Sequence, residues 1–573
     1  MDSIYILSEN GTEIKGIKDR SVHHITIPNG IISIDRCAFK DCTCLQSIVI
    51  PNSVTSIGGC SFANCKSLQD IYIPNSVKRI EDFAFYGCTS LQSIEIPYGV
   101  SKISFGTFQD CLALKTVIIP NSVTIICAQA FLCCTSIQKI DIPDSVTSIE
   151  ERAFRKCTSL LSINIPTSVI SIDGTAFEDC CSLQSIDFPV GISEVSICDC
   201  TSLQEINIPD GITEICITNC NSLKTIDIPF GVTDICFAGC NSLKTIDIPQ
   251  SVKVIGESAF KNCTSLQSVD LPQSTICIEY EAFSGCQSLQ SIDIPSGVTT
   301  IGDYAFEDCI SLITIDVPLG VTIIGQGMFE GCISLQNVNI SNSVTHIDAF
   351  AFHNTGLKRV LIPSSVKKIN INAFRNSPIE EFVVDNSMYT SIEGVLFKNI
   401  YDGVNYPETL FKYPPMKKLS QYFVDNNITK IESCAFEGAI YLEKIILHDD
   451  ICYIGGEHTF WGCTSLKEFY MPEKIGRIPS FCFAGCKCLS SIFVPNRKML
   501  HIEKGAFQEC LLLKELHFQM EKPENIFVDD NAFEKDIFDT CILFIPSGTR
   551  WAYRHHSILG KFKNIEIEKD IKT

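Results

Sequence analysis

Residues 65–87, Cys-Lys-Ser-Leu-Gln-Asp-Ile-Tyr-Ile-Pro-Asn-Ser-Val-Lys-Arg-Ile-Glu-Asp-Phe-Ala-Phe-Tyr-Gly, form one unit of the repeat that decides the fold. Within it, Leu68, Ile71 and Ile73 follow the pattern Leu-x-x-Ile-x-Ile. The last part of this pattern alternates in the way a strand with one buried face does. Pro74 follows at once, and because proline has no N–H group for a strand ladder, it marks the end of the predicted strand.

The second half of the unit is predicted to return the chain to the start of the next strand. Val77 and Ile80 are expected to point inward from an irregular return segment. The pair Ala84-Phe85 is expected to close the turn as a short helical piece, with the phenylalanine filling the wide side. No single unit can bury these apolar groups by itself, so the pattern requires that units stack on one another.

The unit recurs along the chain, and its period is read most easily from the proline after each strand. A step of 23 residues joins eight prolines, which are Pro28, Pro51, Pro74, Pro97, Pro120, Pro143, Pro166 and Pro189. The step shortens to 20 residues at the next three, which are Pro209, Pro229 and Pro249. The Ala-Phe pair is missing from these short units, which predicts a thinner convex side over residues 189–249. Counting the looser turns further on gives roughly 23 to 25 turns.

The units resemble the BspA-type, or treponemal-type, leucine-rich repeat. The resemblance is carried by Cys-Thr-Ser-Leu-Gln-Ser-Ile-Glu-Ile-Pro (88–97), Val-Thr-Ser-Ile (146–149) and the pair Ala-Phe (153–154). It implies an α/β-type repeat solenoid with one long parallel sheet on the concave face and short helical or irregular convex segments. Members of this family are often described as surface antigens or adhesins that bind host or matrix proteins, so the resemblance also implies protein binding at a cell surface.

Two further stretches resemble special parts of the family. Ile-Glu-Gly-Val-Leu-Phe (392–397) is similar to its irregular insert, and residues 541–553 with 562–565 are similar to the closing unit of bacterial members. The predicted organisation has five segments: an N-terminal cap (1–24), regular leucine-rich repeats (25–384, with three shortened units in 189–249), an irregular insert (385–425), degenerate repeats (426–535) and a C-terminal capping unit (536–573).

The composition excludes several classes of partner. The net charge is −21, and an acidic surface repels phosphate, so no nucleic-acid partner is expected. No apolar run approaches the ~18 residues that a membrane helix needs, so no membrane insertion is expected. The first ten residues lack a basic region followed by a continuous apolar stretch, so no secretion signal is expected.

Of the 32 cysteines, 17 share one phase of the repeat, in fourteen consecutive turns from Cys42 to Cys332 and again at Cys463, Cys486 and Cys510. Three interpretations compete: a ladder of buried free thiols, disulfides between adjacent turns, and metal sites. Thr355 and Ser377 occupy the same phase later, where they can replace a thiol but cannot complete a disulfide or a zinc site. The pattern favours free thiols, which suit a reducing compartment and a cytoplasmic location, whereas the family resemblance suggests the cell surface.

No sequence motif brings together residues that could perform catalysis. The ten histidines are scattered and have no metal-type spacing, and every cysteine has counterparts in other repeats. No glycine-rich phosphate loop is present. We therefore expect no catalytic residues, no cofactor and no metal, and the protein is predicted not to be an enzyme.

Two columns of side chains on the solvent side of the predicted sheet are candidate binding surfaces. They occupy the position between the two Ile residues of Leu-x-x-Ile-x-Ile. The preferred candidate is the aromatic stripe, consisting of Ile446, Tyr470, Phe493, His517 and Phe544. The second candidate is the Asp stripe, consisting of Asp141, Asp187, Asp227, Asp247, Asp270, Asp293 and Asp316. Exposed apolar columns often mark partner sites, although a loop from the insert could instead cover this one.

The sequence predicts macromolecular binding, with a protein as the partner and the concave face as the surface, in an adhesin- or scaffold-like role without catalysis. A polysaccharide-binding surface protein is the alternative within the binding class, so a carbohydrate partner stays open. A purely structural repeat protein is the third interpretation, since near-identical units such as 221–229 and 241–249 indicate recent duplication.

Overall fold

A computed structural model describes residues 4–384, 386–401 and 404–568 of the chain. The chain divides into two units, Met1–Pro295 and Ser296–Thr573. Within each unit, most turns of the repeat contribute two short strands separated by a proline corner. We call the strands formed by Leu-x-x-Ile-x-Ile the first row, and those formed by Val-x-x-Ile the second row.

The first unit opens with an antiparallel pair, Tyr5–Leu7 and Glu13–Ile17, after which its strands pair in parallel. Its first row consists of His24–Thr26, Ser47–Val49, Ser93–Glu95, Thr116–Ile118, Lys139–Asp141, Ser162–Asn164, Ser185–Asp187, Glu205–Asn207, Thr245–Asp247 and Ser268–Asp270. Its second row consists of Ser33–Ile34, Ser56–Ile57, Arg79–Ile80, Lys102–Ile103, Ile125–Ile126, Ser148–Ile149, Ser171–Ile172, Glu194–Cys198, Glu214–Thr218, Asp234–Cys236, Val254–Ile255 and Cys277–Ile278.

The second unit has the same two rows. Its first row consists of Thr314–Asp316, Asn337–Asn339, Arg359–Leu361, Glu381–Val383, Gln421–Phe423, Lys444–Ile446, Glu468–Tyr470, Ser491–Val494, Glu515–Phe518, Ile542–Ile545 and Asn564–Ile567. Its second row consists of Thr300–Ile301, Ile323–Ile324, His346–Ile347, Lys368–Ile369, Lys430–Ile431, Tyr453–Ile454, Arg477–Ile478, Leu500–Ile502 and Ile526–Val528. The last seven first-row strands form one parallel sheet.

The second row corrects one expectation about the return segment. Val77 and Ile80 do point into the core, but Ile80 belongs to the strand Arg79–Ile80, which pairs in parallel with Ser56–Ile57. A two-residue strand offers no alternation that could be read from the sequence. Its hydrogen bonds nevertheless tie the second half of each turn to the turn before it.

The expectation of a helical piece at Ala84-Phe85 is wrong. Phe83 before this pair has φ 58° and Gly87 after it has φ 68°, both in the left-handed region. Left-handed residues interrupt a right-handed helix, so the chain passes through successive turns instead. In the part of the chain that the structure describes, the helices lie near the C-terminus, at Ile537–Thr540 and Arg550–Arg554, with single 3-10 turns at Pro523–Asn525 and Leu559–Lys561.

Buried phenylalanine rings stack from turn to turn behind the strands. In the first unit, neighbouring rings from Phe39 to Phe177 lie 5.2–5.6 Å apart between centroids and are nearly parallel. The first two short turns interrupt this column, which resumes in the third short turn at Phe237. Where the Ala-Phe pair is missing, the second-row strands Glu194–Cys198 and Glu214–Thr218 lengthen to five residues. The short turns therefore have fewer residues on this side of the unit, as their length predicts.

The segment 385–425, expected to be irregular, contains paired strands. Tyr389–Ile392, Val395–Tyr401 and Val404–Lys412 form an antiparallel meander. The third of these strands then pairs in parallel with Lys430–Ile431 and so continues the second row. The meander consequently extends the second row rather than the first, on which the aromatic stripe lies.

The 32 cysteines, all within the described residues, are free thiols, and those of the repeat phase form a buried ladder. Most of the ladder thiols donate a hydrogen bond to the backbone carbonyl of a residue in the preceding turn. Thus Cys88 Sγ lies 3.2 Å from the oxygen of Phe62, and Cys111 Sγ lies 3.2 Å from that of Phe85. Ser377 Oγ makes the equivalent bond, 2.6 Å to the oxygen of Phe352, so a hydroxyl reproduces the role of the thiol.

Because thiolates are the reactive form of cysteine, the ladder is expected to resist alkylation while the protein is folded. Burial raises the pKa of the Cys88 and Cys111 thiols, and both side chains are inaccessible. Cys452 and Cys488 are exposed and serve as internal controls. Iodoacetamide treatment at pH 8 followed by peptide mass spectrometry should label these two, and label the ladder only after denaturation. Labelling of Cys88 at the rate of Cys452 would contradict the structure.

Candidate functional site

The aromatic stripe lies on the solvent side of the first row of the second unit. In each strand the residue between two buried positions points outward: Tyr470 follows the buried Phe469, and Phe493 lies between Ile492 and Val494. The parallel register places Tyr470 opposite Phe493. Phe493 is in turn opposite His517, which is opposite Phe544. The repeat therefore converts a periodic sequence position into a continuous column.

The rings of this column stack face to face and form an aromatic ladder of Tyr470, Phe493, His517 and Phe544. The centroids of Tyr470 and Phe493 are 4.2 Å apart, with planes at 2°. The next two steps, Phe493 to His517 and His517 to Phe544, measure 4.3 and 4.5 Å. Since strands in a sheet are ~4.8 Å apart, the sheet spacing itself holds the rings at stacking distance.

His517 is an internal part of the ladder rather than a freely accessible side chain. It is only 8% exposed, lies between two phenylalanine rings and is held at both ring nitrogens. Its Nδ1 lies 3.0 Å from Glu568 Oε1, and its Nε2 lies 3.3 Å from Glu515 Oε2. These two carboxylates fix the plane of the imidazole, so His517 stiffens the surface and offers little contact area.

The end of the aromatic stripe that contains Ile446 and Tyr470 is more exposed to solvent than the part around His517. Tyr470 is 47% exposed, whereas Ile446, Phe493 and Phe544 are partly buried. Lys444 Nζ lies 5.7 Å above the Tyr470 ring and 2.6 Å from Glu468 Oε1. This bond to Glu468 raises the pKa of Lys444, and partial burial raises the pKa of the Tyr470 hydroxyl. Both groups therefore keep their protons at neutral pH, and the cation covers one face of the outermost ring.

Phe423 extends the stripe and was missed by the sequence analysis. It belongs to the strand Gln421–Phe423, stands opposite Ile446 in the register, and is 65% exposed. The alternation Gln-Tyr-Phe-Val, with Tyr422 facing inward and in edge-to-face contact with Tyr413, was the available signal. The signal was weak because the regular period breaks within the preceding insert.

The Asp stripe also lies on the solvent side of the first row. In the first unit, Asp141, Asp187, Asp227, Asp247, Asp270 and Asp293 are exposed; in the second unit, Asp316 is exposed. Asp247 stands directly opposite Asp270, whereas Asp187 lies between Asn164 and Asn207. Asp141 forms an ion pair with Lys139 at 2.9 Å. This surface is hydrated and acidic, and it lacks the apolar component that the aromatic stripe has.

Among the residues that the structure describes, no cluster of three or more His, Cys, Asp or Glu side chains has a geometry that could hold a metal ion. Within the same residues, no helix has both the length and the apolar character to cross a membrane.

Stacked turns with parallel first-row strands define a leucine-rich-repeat solenoid with an irregular convex side. The chain belongs to the BspA-type leucine-rich repeat family, whose model matches residues 17–137, 124–236, 231–355, 299–412 and 404–537. The expected family and fold class are thereby confirmed. No curated protein matches the chain.

Several solved structures are similar to this chain. A leucine-rich repeat protein from Bacteroides ovatus is 28% identical and covers 66% of this chain and 97% of its own, with a TM-score of 0.53. A leucine-rich cell surface protein from Faecalibacterium prausnitzii is 29% identical over 57% of this chain and 80% of its own, with a TM-score of 0.45. The pneumococcal vaccine antigen PcpA is 19% identical, over 68% and 92% of the two chains, with a TM-score of 0.41.

Proposed function

We propose that this protein binds another protein through the aromatic stripe, and that the open end formed by Phe423, Ile446 and Tyr470 makes the main contacts. The observation that carries the proposal is the continuity of exposed apolar side chains with a ladder of stacked rings. A contiguous exposed apolar patch on a regular sheet is typical of a partner site, and aromatic side chains are frequent binding hot spots. The role is adhesin- or scaffold-like and involves no catalysis.

The ladder favours binding because it is already ordered. Rings 4.2–4.5 Å apart within a parallel sheet have little rotamer freedom left to lose when a partner docks. Ordering side chains at an interface normally costs ~0.5–1.5 kcal/mol for each one that is immobilised. A pre-formed surface avoids most of this cost, so even a modest contact area can give useful affinity.

The same geometry weighs against the polysaccharide alternative. A sugar packs its apolar face on the face of an aromatic ring, but both faces of Phe493 and of His517 are covered by neighbouring rings. One face of Tyr470 is covered by Phe493 and the other is approached by Lys444. The ladder thus presents ring edges, which suit apolar or carboxylate groups of a protein partner.

The test is affinity capture with the full chain, comparing wild type with the triple variant Phe423→Ala/Ile446→Ala/Tyr470→Ala. These side chains lie at the open end, so their truncation should leave the inner ladder and the fold intact, as circular dichroism would verify. For a protein captured by the wild type, we expect Kd to rise at least about tenfold in the variant, as loss of a hot spot predicts.

A matched control is provided by exposed side chains of the first unit, Tyr72 and Phe230. The variant Tyr72→Ala/Phe230→Ala removes similar aromatic area and should leave Kd unchanged. If only substitutions in the Asp stripe, such as Asp247→Ala/Asp270→Ala, weaken binding, the partner site is the Asp stripe and the proposal is wrong. If the wild type captures nothing from matrix or cell extracts, the structural interpretation is favoured instead.

A further inference from the structure

The three short turns of the first unit place a second kind of cysteine on the second row. Cys216 lies in Glu214–Thr218 and Cys236 in Asp234–Cys236, and the parallel register sets the two residues directly opposite each other. Both are partly exposed, because they alternate with the buried residues Ile215, Ile217 and Ile235. They differ in this respect from the ladder thiols, which are fully enclosed.

The spacing of the pair is compatible with a covalent link. Neighbouring strands lie ~4.8 Å apart, and the Cα atoms of disulfide-bonded cysteines are usually about 4.4–6.8 Å apart. Both side chains leave the sheet on the same side, since both occupy the same position in the register. The turn that holds Cys216 lacks the Ala-Phe pair, whereas in the next turn the buried Phe237 directly follows Cys236.

The two thiols are chemically unequal. Interaction with the neighbouring Cys216 thiol, assisted by the backbone N–H of Ala238, lowers the pKa of Cys236. The same interaction, together with burial, raises the pKa of Cys216. In the buried ladder of the same turns, burial raises the pKa of Cys240 to about 12. The pair therefore favours the thiolate form of Cys236 over that of Cys216, which is the arrangement of a nucleophile with a resolving partner.

We propose that Cys216 and Cys236 form a reactive dithiol site that is modified by low-molecular-weight disulfides and closes to a disulfide between the two strands. The Cys236 thiolate attacks one sulfur of R–S–S–R, forms Cys236–S–S–R and releases RS⁻, which takes up a proton. Cys216 then loses its proton to solvent and attacks the Cys236 sulfur, which releases the second RS⁻. The two protein thiols lose two electrons, and one small disulfide is reduced to two thiols.

The test uses the full chain in the background Cys452→Ser/Cys488→Ser, which removes the two exposed thiols. The protein is reduced, desalted and exposed to oxidised glutathione, and the products are mapped by peptide mass spectrometry without reduction. We expect the wild-type pair to yield a Cys216–Cys236 disulfide. The variant Cys216→Ser should instead trap one glutathione on Cys236, because a serine hydroxyl at position 216 cannot resolve the mixed disulfide.

The matched variant Cys236→Ser should react at least about tenfold more slowly, since it removes the thiolate. Circular dichroism of all variants checks that they are folded. Glutathione spread evenly over the other partly exposed cysteines, such as Cys44 and Cys277, would contradict the proposal. Unmodified Cys236 in Cys216→Ser after prolonged exposure would also contradict it.

Discussion

The folded protein is expected to lose its stability steeply between about pH 8.5 and 10, because the buried thiol ladder cannot ionise. An unperturbed thiol has a pKa of about 8.5, so the unfolded chain releases its thiol protons as the pH passes that value. Burial raises the pKa of the ladder thiols, for example that of Cys200 and Cys510 to about 12, so the folded chain retains them. Over this range the unfolded state binds fewer protons than the folded state, and stability must fall as the pH rises.

The size of the effect follows from the number of ladder positions. One thiol held protonated in the folded state costs about 2 kcal/mol of stability at pH 10, and nothing below about pH 8. Burial raises the pKa of most of the ladder thiols, whereas a typical domain is stable by only about 5–15 kcal/mol. Alkaline unfolding should therefore be complete before the whole ladder has titrated. It can be followed by far-ultraviolet circular dichroism in a phosphine reductant.

A serine variant separates the effect of the thiols on alkaline stability from the effect of other titrating groups. Ser377 already occupies a ladder position and makes the ladder hydrogen bond. The variant Cys134→Ser/Cys157→Ser/Cys180→Ser should accordingly fold, and it should recover about 6 kcal/mol relative to wild type at pH 10. Burial also raises the pKa of tyrosines such as Tyr553. These tyrosines lower stability only above pH 10, and they do so in both proteins. An equal loss of stability in the two proteins between pH 8 and 10 would refute a role for the ladder.

The fold was predictable because the same order of buried and exposed positions recurs in many units of the repeat. Leu68, Ile71 and Ile73 are buried as the pattern requires, and the residues between the isoleucines are largely exposed. The second row was not predictable, since its strands are mostly two residues long and carry no alternation. The turn conformation of Ala84-Phe85 depends on left-handed residues on both sides, one of which, Phe83, has no intrinsic preference for that region.

The candidate site was predictable in position but not in its physical character. The period identified Tyr470, Phe493, His517 and Phe544 as neighbours on one face. The stacking of their rings follows from the sheet spacing. The enclosure of His517, however, depends on Glu568, which lies 51 positions away in the sequence. Cys216 and Cys236 were visible as cysteines, yet their register and unequal acidity arise from turn shortening and backbone contacts that no local pattern reports.

Replacing Glu437 by alanine is expected to destabilise the second unit by about 3–5 kcal/mol, as the removal of one partner from a buried ion pair does. Glu437 is 3% exposed, and its Oε1 lies 2.6 Å from Arg375 Nε. Its Oε2 lies 3.5 Å from Nζ of the equally buried Lys412, which also donates to the carbonyl of Cys434 at 2.7 Å. Without Glu437, Lys412 is left as a buried cation with no neutralising carboxylate.

This ion cluster also connects parts of the chain that the repeat alone does not hold together. Arg375 lies before the meander, Lys412 ends it, and Glu437 follows it by one turn. The strand with Phe423 lies between Lys412 and Glu437 in the sequence. Loss of the cluster should therefore loosen the open end of the aromatic stripe. Hydrogen exchange should therefore rise first over residues 407–437 in Glu437→Ala, with the thermal midpoint falling as well.

The double variant Lys412→Met/Glu437→Leu separates the cost of an unpaired charge from the loss of an attractive bond. Well-packed apolar replacements of a buried ion pair are often neutral or stabilising, so the double variant should be more stable than Glu437→Ala although it lacks both charges. Arg375 is partly exposed and can be hydrated when its partner is removed. If the double variant is instead less stable than Glu437→Ala, the cluster stabilises the meander through its bonds, and desolvation of Lys412 is not the controlling cost.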